Sequence, residues 1–99
     1  MFLMNAYQLL MIFALSENCL VKALALLENT TYFEDYLIQL LAKYVSNLIG
    51  TKRKISHMLN KLEEDQSVTS PDVILLQQDL ATCAELEAEL CEYISMSIH

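Results

Sequence analysis

The chain contains a single glycine, Gly50, and a single proline, Pro71, among its 99 residues. Sheet proteins change direction through many tight turns, and those turns need residues that tolerate backbone angles which other amino acids avoid. This chain cannot supply them. Leucine, alanine, methionine, glutamate and lysine are frequent instead, and these residues lose little rotamer freedom in a helix. The sequence therefore predicts an all-α protein.

Capping residues and polar interruptions divide this one predicted domain, residues 1–99, into helical regions. The regions are about 2–28, with one or two shorter helices; about 32–64, with one long helix; and about 71–97, with the C-terminal helix. The polar segment Ser16-Glu17-Asn18 leaves the first region as either two helices or one bent helix. Gly50 lies inside the long helix and costs about 1 kcal/mol relative to alanine. A kink or a short break at this position is one alternative, and a continuous or gently bent helix is the one that we expect.

The start of the C-terminal helix carries the strongest local signal. Ser70 is a capping residue, Pro71 suits the first helical position, and Asp72 favours the positive end of the helix. The loop before it, from Glu63 to Ser70, is short, so the last two helices should fold back on each other. We therefore expect a small helical bundle built on a long antiparallel helical hairpin.

Apolar residues recur at spacings of mostly four and three along both long helices, which is typical of a seam that packs along another helix. The seam residues are Leu41, Val45, Leu48, Ile55, Leu59 and Leu62 in the long helix and Leu76, Leu80, Leu86 and Leu90 in the C-terminal helix. We expect them to form the core of the fold, where truncation of a leucine such as Leu59 to alanine costs about 2 to 5 kcal/mol.

The first region is apolar almost all round, and such a helix must be enclosed on most sides by its own fold or by a partner. Apolar residues make up 55% of the chain, which is more than the interior of so small a domain readily holds. The expected partner face is Phe2, Leu3, Leu10 and Phe13.

Asn5 and Gln8 interrupt an apolar run that is too short to cross a bilayer. We therefore expect a cytoplasmic chain without a membrane span.

The charge balance favours protein partners over nucleic acids. Six lysines and arginines stand against thirteen acidic residues, which gives a net charge of −7. Nucleic-acid phosphates must be met by clustered positive charge, so we expect no nucleic acid as a partner. The same charge could steer a basic partner towards the chain.

The sequence holds little that could perform chemistry. Cys19, Cys83 and Cys91 show no paired-cysteine spacing, and reduced thiols in a helical core are the simplest interpretation. His57 is the one histidine away from the chain end, and its position predicts a surface or edge residue. No metal-ligand motif or glycine-rich phosphate loop is present. We expect no cofactor, no metal site and no enzymatic activity.

Two functions remain. In the first, the chain is a protein–protein interaction module, a small acidic helical chaperone, adaptor or inhibitor, which binds an amphipathic segment of another protein. In the second, it is a structural subunit that assembles into a homo-oligomer, with the seam from Leu41 to Leu62 as the self-contact. A thiol- or metal-dependent enzyme is a third hypothesis with much less support from the residues.

Overall fold

The computed structural model describes residues 5–29 and 35–97, and for Leu27, Asn29 and Ser97 it describes the backbone alone. Within these ranges the chain is a helical bundle of three helices, which are α1 (Ala6–Asn29), α2 (Asp35–Glu63) and α3 (Ser70–Ser97). These ranges contain helices and short connections without strands, so the all-α prediction is confirmed.

The N-terminal region is one continuous helix of 24 residues, and the described chain therefore has three helices, not the four that two short N-terminal helices would have given. The polar segment that was expected to interrupt it lies in the middle of α1. Ser16 is buried on the same side as Leu9 and Ala23, while Glu17 and Asn18 face solvent. The segment costs the helix little because only its smallest side chain is buried.

The start of α1 is a capping box formed by Asn5 and Gln8. The Gln8 amide donates to Asn5 Oδ1 at 2.9 Å, and the Asn5 amide donates to Gln8 Oε1 at 3.0 Å. In the sequence these two residues were interpreted as interruptions of an apolar run. They instead satisfy backbone donors that the first turn of a helix leaves unpaired.

Helix α2 runs through Gly50 without a break. A Cβ atom added at this position would meet nothing within 4 Å, so the packing of this fold does not require a glycine there. The helix ends in a Schellman motif in which Asp65 takes the left-handed conformation, with φ of 58°. The Gln66 amide donates to the Lys61 carbonyl at 2.7 Å, and the Asp65 amide donates to the Leu62 carbonyl at 3.2 Å.

Helix α3 is capped by Thr69, one residue before the predicted cap at Ser70. Thr69 and Asp72 form a reciprocal capping box, in which the Asp72 amide donates to Thr69 Oγ1 at 3.4 Å and the Thr69 amide donates to Asp72 Oδ2 at 3.2 Å. The Val73 amide donates to the Thr69 carbonyl at 3.2 Å, which makes the first intrahelical bond of α3.

Helix α2 lies between the other two. Both α1 and α3 pack on it, whereas no Cα atom of α1 lies within 8 Å of a Cα atom of α3. The polar contacts between α2 and α3 join Lys61 to Asp72 near one end of the helices and Lys54 to Asp79 further along. The pair with the higher residue number in α2 therefore has the lower residue number in α3.

The core consists of two clusters, and each contains residues from all three helices. The first cluster is Ala23, Leu37, Leu40, Leu41, Tyr44, Leu48, Cys83 and Leu90. The second cluster is Leu9, Ile55, Met58, Val73 and Leu76. Among the ten seam residues, Leu41, Leu48, Ile55, Leu76 and Leu90 are buried, and Val45, Leu59, Leu62, Leu80 and Leu86 are half-buried against these clusters.

Candidate interaction surface

Helix α1 presents apolar residues on two opposite faces. Its inner face, which includes Leu9, Ile12 and Ala23, packs into the two core clusters. Its outer face exposes large apolar side chains, whose exposed fractions run from 43% at Leu24 to 81% at Tyr7. These side chains are Tyr7, Leu10, Met11, Leu15, Val21 and Leu24.

The centre of the outer face follows the spacing of a coiled-coil seam. Positions separated by alternating steps of four and three are Tyr7, Met11, Ala14, Asn18, Val21 and Ala25, which we call the outer seam. All of them are exposed except Ala25, which is half-buried. Leu10 and Leu15 lie on the two flanks of this seam, and Glu17 and Lys22 occupy the same flanking positions further along the helix.

The structure separates the residues of the predicted partner face. Phe2 and Leu3 lie outside the described residues. Leu10 lies on the outer face with 55% of its surface exposed. Phe13 is half-buried against the second cluster, and the Lys52 ammonium lies 5.0 Å from its ring centroid, within the range of a cation–π contact.

Sequence reasoning missed the rest of the outer face. The signal was nevertheless present in the spacing of Tyr7, Met11, Ala14, Asn18 and Val21. It was hidden because most of the residues between them are also apolar, so a search for one apolar stripe finds none in this helix.

Part of α1 has the length and apolar character of a membrane-crossing helix. The stretch Ala6–Leu26 spans 21 residues with mean hydropathy 1.8, and little of it is buried in the bundle. Its charged residues are Glu17 and Lys22. Core helices of soluble proteins and signal sequences share these properties, so this observation by itself is weak.

The basic cluster Lys52-Arg53-Lys54 is largely engaged within the bundle. The Lys54 ammonium pairs with Asp79 at 2.5 Å, and the Lys52 ammonium lies 3.7 Å from a Glu17 carboxylate oxygen. The first pair joins α2 to α3, and the second joins α2 to α1. Ion pairs near the surface contribute under about 1 kcal/mol each, so their main effect is on how the helices are oriented.

The titratable groups inside the bundle serve packing. Burial, followed by a hydrogen bond with Cys19, raises the pKa of Tyr44 far above its usual value, so this phenol stays protonated. Cys83 Sγ accepts a hydrogen bond from the Asn47 side-chain amide, whereas Cys91 and His57 are exposed. Within residues 5–29 and 35–97, no group of three His, Cys, Asp or Glu side chains could hold a metal ion.

The concave regions are shallow grooves along the helices. Their volumes run from about 210 Å³, between α2 and α3 against Met58 and Leu75, to about 680 Å³ along α2 beside Gly50. The larger ones reach the volume of small-molecule sites, but they are open grooves and not enclosed cavities. The outer face of α1, with its six exposed large apolar side chains, is the stronger candidate for a functional surface in the described part of the chain.

No family model, curated protein sequence or solved structure matches this chain.

Proposed function

We propose that this chain is a protein–protein interaction module that binds through the outer face of α1, and that it is not an enzyme. One observation carries the proposal: large apolar side chains are exposed on a helix whose opposite face already packs on α2. Six side chains of this size, exposed by 43% or more, present on the order of 600 Å² of apolar surface. The largest apolar patch on a typical soluble monomer is about 300 to 600 Å² and is often functional, so the outer face lies at the upper end of that range.

We propose that α2 and α3 form an antiparallel hairpin that serves as the rigid support of α1. The order of the ion pairs supports this topology, because Lys61 meets Asp72 while Lys54 meets Asp79. The connection between the two helices, residues 64–69, is also short and closed by a Schellman motif and a capping box. A helix held on such a support presents its outer face with little loss of conformational entropy on binding.

The partner expected from this surface is an amphipathic helix, which would lie along the outer seam with its apolar side inward. This mode of recognition is compatible with an adaptor, an inhibitor or a chaperone. It also changes the self-assembly hypothesis. Leu41, Leu48 and Ile55 are at most 2% exposed, so their seam is already occupied within the chain. Contact between copies would then use the outer face of α1, which holds more exposed large apolar side chains than α2 or α3.

Membrane association is a second candidate, and the apolar stretch Ala6–Leu26 is the observation that favours it. Two features favour a protein partner instead. Leu9 is completely buried against α2, so a bilayer could surround α1 only after that contact had been lost. The described part of α1 before Lys22 also contains no basic residue that could bind anionic headgroups.

The experiment is photo-crosslinking in cells from a photoreactive residue at Val21, with Ile74 as a matched control. Both positions are apolar and about equally exposed, at 60% and 52%, but Ile74 lies on α3. The proposal predicts a discrete protein adduct from Val21 that is absent from Ile74. Lipid adducts from Val21 would favour the membrane candidate, and equal labelling from the two positions would refute a specific role for α1.

A further inference from the structure

We infer that the occupant of the outer seam is a second copy of this chain, and that the two α1 helices form a parallel coiled coil. This inference rests on the proposed interaction role of α1 and names the partner. It follows from the identity of the seam residues, from the charges on the flanks and from the area that the outer face can bury.

The seam residues suit a helix that meets its own copy in register. In a parallel pair each seam residue faces the same residue of the second copy, so Tyr7, Met11 and Val21 form apolar layers. Ala14 forms a layer of small side chains, which lets the helices approach closely. Asn18 meets Asn18 of the second copy, where the two amides can bond to each other, and a single polar residue at such a position fixes register and orientation.

The charges distinguish the parallel from the antiparallel arrangement. In a parallel pair, flanking residues five apart face each other, which places Glu17 opposite Lys22 of the second copy and Leu10 opposite Leu15 of the second copy. An antiparallel pair would place Glu17 beside Glu17 of the second copy. It would also place Asn18 against Ala14 of the second copy, where the amide has no partner. Charge complementarity and hydrogen bonding therefore both favour the parallel pair.

Geometry allows the second copy to dock. Helices α2 and α3 lie on the inner side of α1, so the two bundles would extend away from the contact on opposite sides. The Glu17 side chain keeps 57% of its surface exposed beside Lys52, which leaves it accessible to Lys22 of the second copy. The seam stops at Ala25, because the next position of the repeat is Glu28.

The area is compatible with a small dimer interface. Complete burial of about 600 Å² of apolar surface from each outer face would remove at most about 1,200 Å² in total, at the lower limit for stable protein–protein interfaces. Covering less than this would leave an apolar helix face in water. A second copy is therefore an occupant of adequate size without any further protein.

Cysteine cross-linking tests the arrangement directly. In the full chain with Cys91→Ser, which removes the exposed thiol, Tyr7→Cys and Val21→Cys are oxidised separately under mild conditions. A parallel pair brings each new thiol next to its own copy, so both variants should give a disulfide-linked dimer. Leu75→Cys, on α3, is the exposed control and should stay monomeric on a denaturing gel. Failure of both seam positions to cross-link would overturn the parallel pair. Cross-linking of Met11→Cys with Val21→Cys, found only when the two variants are mixed, would overturn it in favour of the antiparallel pair.

The solution mass tests the partner. Sedimentation equilibrium of the purified full chain should give a dimer at micromolar concentration. Met11→Glu should raise the dissociation constant by about tenfold or more, because it places two charges in one buried layer, whereas Leu75→Glu should leave it unchanged. A monomeric wild-type chain, or a dimer that resists Met11→Glu, would overturn the inference. Photo-crosslinking from Val21 to a different protein would also overturn the homodimer, but it would leave the interaction role of α1 intact. The absence of any protein adduct from Val21 would refute both the homodimer and the interaction role.

Discussion

Leu9 and Leu10 are adjacent in α1 and allow a direct test of which face of this helix packs into the core. Leu9 is completely buried in the second cluster, while Leu10 is 55% exposed on the outer face. Leu9→Ala removes three carbon atoms from the core, and at about 0.8 kcal/mol for each methylene group this costs about 2.4 kcal/mol. A residual cavity adds to that loss, so the expected decrease in the free energy of unfolding is about 2.5 to 3.5 kcal/mol.

The matched variant Leu10→Ala should change the free energy of unfolding by less than about 0.5 kcal/mol, because more than half of this residue is exposed and it lies outside both core clusters. Both values come from urea titrations followed by circular dichroism at 222 nm. The titrations are run at protein concentrations low enough that the midpoint does not depend on concentration. With a slope of about 1 to 3 kcal/mol per molar urea, the Leu9→Ala midpoint should fall by about 1 to 3 M. Equal losses for the two variants would refute the assignment of inner and outer faces.

Gly50→Ala should raise the free energy of unfolding by about 0.5 to 1 kcal/mol in chemical denaturation, because the added Cβ meets open space inside a helix. A decrease in the free energy of unfolding would show that a helix or a partner packs closely at Gly50. Asp65→Gly should stabilise the fold by a similar amount, because φ of 58° costs an L-residue more than it costs glycine; an unchanged midpoint would count against a strained C-cap. Hydrogen bonds first from Lys61 and then from Thr69 lower the pKa of Asp72 from 3.8 to about 2. This carboxylate therefore stabilises the fold above about pH 4 and loses that contribution as the pH falls towards 2, by about 1 kcal/mol after solvent screening; Asp72→Asn should abolish this part of the pH dependence in urea titrations.

The fold class could be predicted because it depends on local chemistry. With one glycine and one proline, the chain lacks the residues for a turn-rich sheet, and apolar spacing marked the packing faces of α2 and α3. Periodicity predicts which residues are apolar on one side of a helix, but not how deeply each is buried. Leu59, for example, belongs to the predicted seam but is only half-buried, because it lies towards the edge of the second cluster. The cost of truncating it should therefore lie near or below the lower end of the predicted range.

The errors concern polar residues whose meaning depends on their partners. Asn5 and Gln8 interrupt an apolar run in the sequence, yet their side chains bond to each other's backbone and start α1. The segment around Ser16 was compatible with a second helix or with one bent helix, and the structure has a single helix in which Ser16 is buried. The predicted cap of α3, Ser70, lies one residue after the observed cap, Thr69. Asp72 follows Thr69 by three residues, the spacing of a reciprocal capping box, whereas the residue three positions after Ser70 is Val73.

The candidate surface was predicted only in part, because an all-round apolar helix does not reveal which side faces its own fold. Leu10 was predicted to face a partner and is exposed, while Phe13 was assigned to the same surface and packs inward. Packing against α2 determines which face of α1 is buried. Leu9 and Ala23 pack with α2 residues in the two core clusters, and in this orientation Tyr7 and Val21 lie on the opposite, exposed face.

The absence of close approach between α1 and α3 has a consequence for the order in which the molecule opens. Helix α1 can separate from α2 while the contacts between α2 and α3 persist, so a partly open state should be reached at a lower free energy than complete unfolding. Two short ion pairs join α3 to α2, whereas the ion pair between α1 and α2, Glu17 with Lys52, is longer at 3.7 Å. Amide hydrogens in α1 should therefore exchange with solvent before those in the middle of α2. Occupation of the outer face would then slow hydrogen exchange first in α1.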